Sequence, residues 1–178
     1  EYGGKARVVM ADVSGHGARA SLLMAVVYTL FSLGKNRRYT LPETLSLINE
    51  LLLRIIGTEP DFITLFAADV DTEAGEIEFV NAGHCPVMLY RGNGAVESLG
   101  AQYPMLGFYP LEVEVESRPF PPGAELFVFT DGFYELAPEC AHVLDFERFW
   151  DMAAELLGHE GRFLYTLMKK VEGLSEEE

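Results

Sequence analysis

Hydrophobic and polar positions follow two regimes along this chain, helical at both ends and strand-like in the middle. From Ala6 to Ala11, the continuous apolar run Val8-Val9-Met10 predicts a short buried strand. The strand ends at Asp12, and Val13-Ser14-Gly15-His16-Gly17 reads as a loop with two glycines. From Ala18 to about Asn36, Leu22, Val26, Thr29, Leu30 and Leu33 recur at helical spacing with no proline, which predicts a first helix. Leu41-Pro42-Glu43 opens a second helix, capped by Thr40 with Pro42 in its first turn. Leu45, Ile48, Leu52 and Ile55 form its expected buried stripe, and it stops near Gly57.

After Pro60 the period changes. Phe62 to Val70 is rich in strand formers, Asp71 to Gly75 reads as a turn, and Glu76 to Val80 alternates apolar and polar residues. Pro86 to Tyr90 and Val96 to Leu99 flank Arg91-Gly92-Asn93-Gly94, a hairpin pattern. Leu111 to Arg118 alternates again, with Leu111, Val113 and Val115 on one face, and Pro121-Pro122-Gly123 makes a turn. Leu126 to Thr130 reads as a fully apolar strand ending at Asp131-Gly132. Helical patterning returns from Asp145 to about Leu157 and from Arg162 to Val171, before a charged, frayed tail at Ser175 to Glu178. Strand, two helices, linked strands and then helices predict one α+β domain of layered αββα type over residues 1–178.

Composition narrows the function. The 178 residues are 49% apolar, enough for a packed core. A formal net charge of -15 argues against nucleic-acid binding, which needs a basic face. Bound cations at a site can still offset that charge for a phosphorylated ligand. Cys85 and Cys140 do not make a disulfide framework and point to a reducing compartment. The start Glu1-Tyr2-Gly3-Gly4 has no signal-peptide character, and Ala20 to Leu33, broken by Ser21, Thr29 and Ser32, is shorter than the ~20 residues of a membrane span. The expectation is a soluble, cytoplasmic chain without membrane contact. The apolar helix from Ala18, with Met24, Val27, Tyr28 and Phe31 beside its stripe, reads as buried between a sheet and a neighbouring helix. A homodimer or partner surface is the alternative reading.

Two aspartates share a setting. Asp12 follows Val8-Val9-Met10-Ala11, and Asp131 follows Phe127-Val128-Phe129-Thr130, each where an apolar strand gives way to a small-residue turn. Carboxylates brought together at strand ends repel, and a shared proton or a bound cation relieves the repulsion. Oxygen donors alone suit magnesium or manganese rather than zinc. Turn capping is the competing reading for each aspartate taken singly. Ser14-Gly15-His16-Gly17 leads into a helix whose first N–H groups can hold an anion, although any tight strand-to-helix turn also uses glycine. His16 is a candidate base or ligand, or a residue that fixes the loop. His84, in Asn81-Ala82-Gly83-His84, has no cluster of metal-ligating residues nearby in sequence and reads as structural. Ser14 lacks the elbow pattern of a nucleophilic serine.

Ala11-Asp12-Val13-Ser14-Gly15-His16-Gly17, Phe62-Ile63-Thr64-Leu65-Phe66, Asn81-Ala82-Gly83-His84-Cys85-Pro86 and Phe129-Thr130-Asp131-Gly132-Phe133-Tyr134-Glu135 occur in one order along nearly the whole chain. Together they resemble the metal-dependent protein phosphatase (PPM) family, in the bacterial branch typified by stage II sporulation protein E and the stress-response phosphatases that regulate sigma factors. The resemblance implies two stacked antiparallel sheets flanked by helices and two Mn2+ or Mg2+ ions. It implies that Asp12 bridges the ions, that the Val13 backbone carbonyl contributes, and that Asp131, before Gly132, is a further ligand. The implied reaction is hydrolysis of phosphoserine or phosphothreonine by metal-activated water, on a regulatory partner such as an anti-anti-sigma factor.

The chain departs from that pattern at both ends. Glu1-Tyr2-Gly3-Gly4-Lys5 stands where the family carries a Gly-Gly-Asp stretch, and Glu178 precedes the family's closing aspartate pair. The sequence therefore predicts a fragment lacking one or two metal ligands and some edge strands. A non-catalytic, partner-binding PPM-like module is the rival function, and a hydrolase of small phosphoesters is a third.

Overall fold

A computed structural model describes residues 5–37, 39–56, 61–92, 94–133, 145–159 and 162–176. The chain divides into two compact units, one of Glu1–Pro86 with Gly100–Pro122, the other of Val87–Leu99 with Gly123–Glu178. Each unit holds its own antiparallel sheet and two helices.

The first unit carries β1 (Ala6–Val13), α1 (Ala18–Arg37), α2 (Leu41–Ile56), β2 (Ile63–Asp71), β3 (Glu76–Ala82) and, later in the chain, β6 (Glu116–Pro119). The sheet order is β1-β2-β3-β6. Its core is made by alternate residues of the central strands, Ile63, Leu65 and Ala67 on β2 with Val80 and Ala82 on β3. Leu23 and Val27 of α1 and Leu45, Ile48 and Leu52 of α2 complete it. The β2–β3 turn is held by Asp71, whose Oδ1 accepts from the backbone N–H groups of Glu73 (3.1 Å) and Ala74 (2.7 Å). At the start of α2, Thr40 and Glu43 form a reciprocal cap. The Thr40 N–H donates to Glu43 Oε2 at 2.8 Å, and the Glu43 N–H points back to Thr40 Oγ1 at 3.4 Å. These bonds to Thr40 hold the Glu43 carboxyl below its usual range. Asn49, buried on α2, ties down the loop that crosses it, donating to the Tyr109 carbonyl and accepting from the Gly107 N–H.

The second unit carries β4 (Val87–Tyr90), β5 (Val96–Leu99), β7 (Glu125–Phe127), α3 (Phe146–Leu156) and α4 (Phe163–Glu176), with sheet order β5-β4-β7. Its interior is aromatic. Phe127 lies 5.1 Å from Phe129 and 4.8 Å from Phe163, and Phe129 lies 5.0 Å from Phe149 between ring centroids. Asp145 caps α3 by accepting from the Arg148 N–H.

Several expectations are corrected. β1 extends through Asp12 to Val13, and it is an edge strand rather than a buried one, with Val9 exposed. On α1 the buried stripe is shifted by one residue. Leu23 and Val27 face the core while Leu22, Thr29 and Leu33 are exposed, so this helix is not enclosed on all sides. The helix is apolar nearly all round, so helical spacing alone does not select the buried stripe. On α2, Ile56 replaces Ile55 as the last buried residue. The alternation of Leu111, Val113 and Val115 is kept as partial burial against the core, yet the segment pairs with β3 only over Glu116–Pro119. The apolar run from Leu126 to Thr130 pairs with β4 only through Phe127, before the backbone turns. The helix stop at Gly57, Asn93 of the hairpin turn, Cys140 and the tail residues Glu177 and Glu178 lie outside the described residues. So do Glu1–Gly4 and the motif residues Tyr134 and Glu135.

Candidate functional site

Asp12 is the penultimate residue of β1, exposed, and paired in the β1–β2 ladder with Thr64. Among the described residues no side chain donates to its carboxylate. Val13 is buried in the core. Ser14 closes the strand. Its N–H donates to the Phe62 carbonyl at 3.0 Å, and its Oγ accepts from the Phe62 N–H at 2.8 Å. That double link makes Ser14 a lock on the loop rather than a poised nucleophile. Gly15 (φ 80°) and Gly17 (φ 89°) take left-handed conformations that carry the chain from β1 into α1. His16 between them is exposed. The Gly17 carbonyl accepts from both the N–H and the Oγ of Ser21, and Arg19 pairs with Asp61 beside the loop.

The Asn81-Ala82-Gly83-His84 turn lies at the end of β3. Asn81 is fully buried, and its N–H donates to Gln102 Oε1 at 2.7 Å. Its carbonyl accepts from the N–H groups of Gln102 (2.9 Å) and Tyr103 (3.2 Å). Asn81 Oδ1 accepts from the His84 N–H at 2.9 Å. Gly83 adopts φ 68°, and a Cβ there would stand 2.7 Å from the Met105 backbone nitrogen. His84 is buried, with Nδ1 3.2 Å from Thr64 Oγ1. Asp12, Thr64 and His84 therefore gather at one end of the first unit's sheet. Sequence reading gave Thr64 no role, because its significance comes from the ladder register that sets it opposite Asp12.

Asp131 and Gly132 belong to the second unit. Asp131 opens a 3-10 turn, Asp131–Phe133, two residues after the buried Phe129, and the Phe133 N–H donates to the Thr130 carbonyl at 3.2 Å. The Asp131 carboxylate is half-buried and has no hydrogen-bond partner among the described residues. A Cβ on Gly132 would meet nothing closer than Thr130 Oγ1 at 3.7 Å, so space does not demand glycine at this position.

No group of three or more His, Cys, Asp or Glu side chains converges to hold a metal ion among the described residues. Asp12, at the end of β1, and Asp131, at the start of a 3-10 turn, each offer a carboxylate without a partner among the described residues. That donor type fits a hard cation which keeps several of its waters and takes one or two protein carboxylates.

The sequence profile described as Stage II sporulation protein E (SpoIIE) matches residues 2–178. The chain belongs to the SpoIIE family. Phosphoserine phosphatase RsbP of Bacillus subtilis (strain 168) is 23% identical over 137 residues, 75% of this chain and 34% of that protein. The RsbU and RsbW domains of Rv1364c from Mycobacterium tuberculosis superpose with a TM-score of 0.75 at 24% identity, over 97% of this chain and 49% of that one. The catalytic domain of the serine threonine protein phosphatase PstP, solved with two manganese ions, superposes with a TM-score of 0.63 at 12% identity, over 94% of this chain and 80% of that one. The chain thus spans about a third of RsbP. The α+β fold, with two antiparallel sheets and helices, is that of these phosphatase domains.

Proposed function

We propose that this chain is one metal-dependent phosphatase domain that removes phosphate from a phosphoserine or phosphothreonine of a regulatory partner protein in the cytoplasm. The observation that carries the reading is Asp12, an exposed and unpartnered carboxylate at the end of β1, followed at once by a glycine-flanked loop and α1. Membership of a family whose named relatives include a phosphoserine phosphatase supports the same reading. Among the described residues, no helix is long and apolar enough to cross a membrane.

Asp12, the Val13 carbonyl and Asp131 are the proposed holders of two Mn2+ or Mg2+ ions, which would neutralise the phosphate and supply a nucleophile at neutral pH. The chain's own groups have distinct tasks. Ser14 fixes the strand-to-loop junction through Phe62, so that Asp12 is presented on a stiff backbone. Gly15 and Gly17 leave the loop without side chains that would hinder a bulky phosphoprotein, with nothing within 4 Å of either Cβ position. His16, exposed between them, is proposed to hydrogen-bond the phosphate or its leaving oxygen. The -15 net charge favours a substrate surface with basic residues around the phosphorylated side chain. An anti-anti-sigma-like protein is the proposed partner class.

Substrate class is tested by comparing turnover of a serine-phosphorylated anti-anti-sigma protein with that of nucleotides at equal concentration. The reading predicts that the phosphoprotein is preferred and that His16→Ala lowers its turnover. Preference for nucleotides would instead make the chain a small-phosphoester hydrolase. Tight binding of the phosphoprotein without turnover would make it a non-catalytic module.

A further inference from the structure

We propose that Thr64 and His84 are positioning residues for Asp12, with the Thr64 hydroxyl placed to take up its carboxylate when a divalent ion binds. The proposal rests on the metal-dependent reading above. Antiparallel partners directly opposite one another project to the same face of a sheet, with Cβ atoms ~4.5–5.5 Å apart. Asp12 and Thr64 are such partners. Along β2, Phe66 shares the face of Thr64, and its own partner on β3 is Asn81, so Asn81 lies on that face as well.

From Asn81 the chain turns back. Asn81 Oδ1 takes the His84 N–H at 2.9 Å, and His84 Nδ1 comes within 3.2 Å of Thr64 Oγ1. Polar groups thus run from Asn81 through His84 and Thr64 toward Asp12. On the same face the neighbouring positions are apolar, with Phe66 and Phe79 stacked at 6.0 Å. The Thr–His contact stands beside these rings, and Asp12 is the ladder partner of its threonine.

The hydrogen-bond inventory gives the contact a function. A threonine hydroxyl has one proton to donate and two lone pairs to accept with. When Nδ1 carries the proton and donates to Thr64, the Thr64 proton is free for a further acceptor on its open side. The next polar position on that side is Asp12. Its carboxylate has no partner of its own among the described residues. An outer hydrogen bond to a ligand carboxylate fixes its orientation on the metal, and removing such a partner weakens metal affinity ~10–100-fold. The buried ring of His84 and the tight Gly83 turn make the support rigid.

The test is Mn2+ binding to the 178-residue chain, read from the loss of the free-ion EPR signal, with metal-free melting measured in parallel. Thr64→Val should weaken Mn2+ binding ~10–100-fold. Thr64→Ser, which keeps the hydroxyl, should bind within a few-fold of wild type. His84→Gln, which removes the Nδ1 group, should weaken binding in the same direction and serves if Thr64→Val does not fold. Wild-type affinity in the folded Thr64→Val or His84→Gln protein, beside lost affinity in Asp12→Asn, would overturn the proposal and leave the phosphatase reading standing. Unchanged affinity in Asp12→Asn would overturn both.

Discussion

Single residues in this chain are constrained for reasons that differ in kind. Gly83 combines a left-handed backbone with a Cβ position 2.7 Å from the Met105 nitrogen, whereas Gly15 has only the backbone requirement, with open space around it. Gly83→Ala should therefore destabilise the fold more than Gly15→Ala, whose cost is ~1–2 kcal/mol for the left-handed conformation alone. Chemical denaturation of the two variants checks the order, and equal losses would show that the turn at Met105 can give way. The Thr40–Glu43 cap makes a pH-dependent prediction. Folding lowers the Glu43 carboxyl pKa from its ordinary 4.5, so its contribution is present above 4.5 and is lost as pH falls through the lower folded value. Thr40→Ala should cost ~1 kcal/mol at neutral pH. The gap to wild type should narrow in acid well below 4.5, as denaturation midpoints at the two pH values would show. At this scale the sequence singles out Asp12, Asp131 and the glycine loop because they lie within short motifs. It leaves Thr64 without a role because a ladder partner 52 positions away is set by register, which no local pattern encodes.

Among the elements, α1 and α2 show how far periodicity reaches. On α2 three of the four expected stripe residues, Leu45, Ile48 and Leu52, are buried, with Glu43, Glu50 and Arg54 exposed, while the fourth, Ile55, is exposed beside Leu47. On α1 an apolar side chain stands at almost every angle, and the helix settles with Leu23 and Val27 inward and Leu22 outward. Leu23→Ala should cost ~2–5 kcal/mol through the cavity it leaves. Leu22→Ala should stay within ~0.5 kcal/mol of wild type. Comparable losses in thermal melts of the two variants would contradict the orientation of α1. Strand lengths were harder to read than strand existence. Leu111 to Val115 and Val128 to Thr130 keep the side-chain pattern of strands without pairing into the ladders named here, and pairing depends on which neighbour is present.

For the whole molecule, the order of elements was legible from the change of period after Pro60, and with it the α+β class. The division into two compact units was not, because Gly100–Pro122 returns to the first unit after a hairpin that belongs to the second. That return depends on Asn81, whose carbonyl holds Gln102 and Tyr103, and on the backbone pairing of Ile63 with Leu106. The family profile spans both units, which is why a single functional domain is proposed for them. The proposed phosphatase reading requires Asp12 and Asp131 for metal-dependent hydrolysis. The most direct test is Mn2+-dependent release of phosphate from p-nitrophenyl phosphate by the 178-residue chain, beside Asp12→Asn and Asp131→Asn. Turnover should require Mn2+ and fall at least ~100-fold in either variant, the loss expected when charge stabilisation at a reacting centre is removed. Mn2+-dependent turnover that survives both substitutions would contradict that reading.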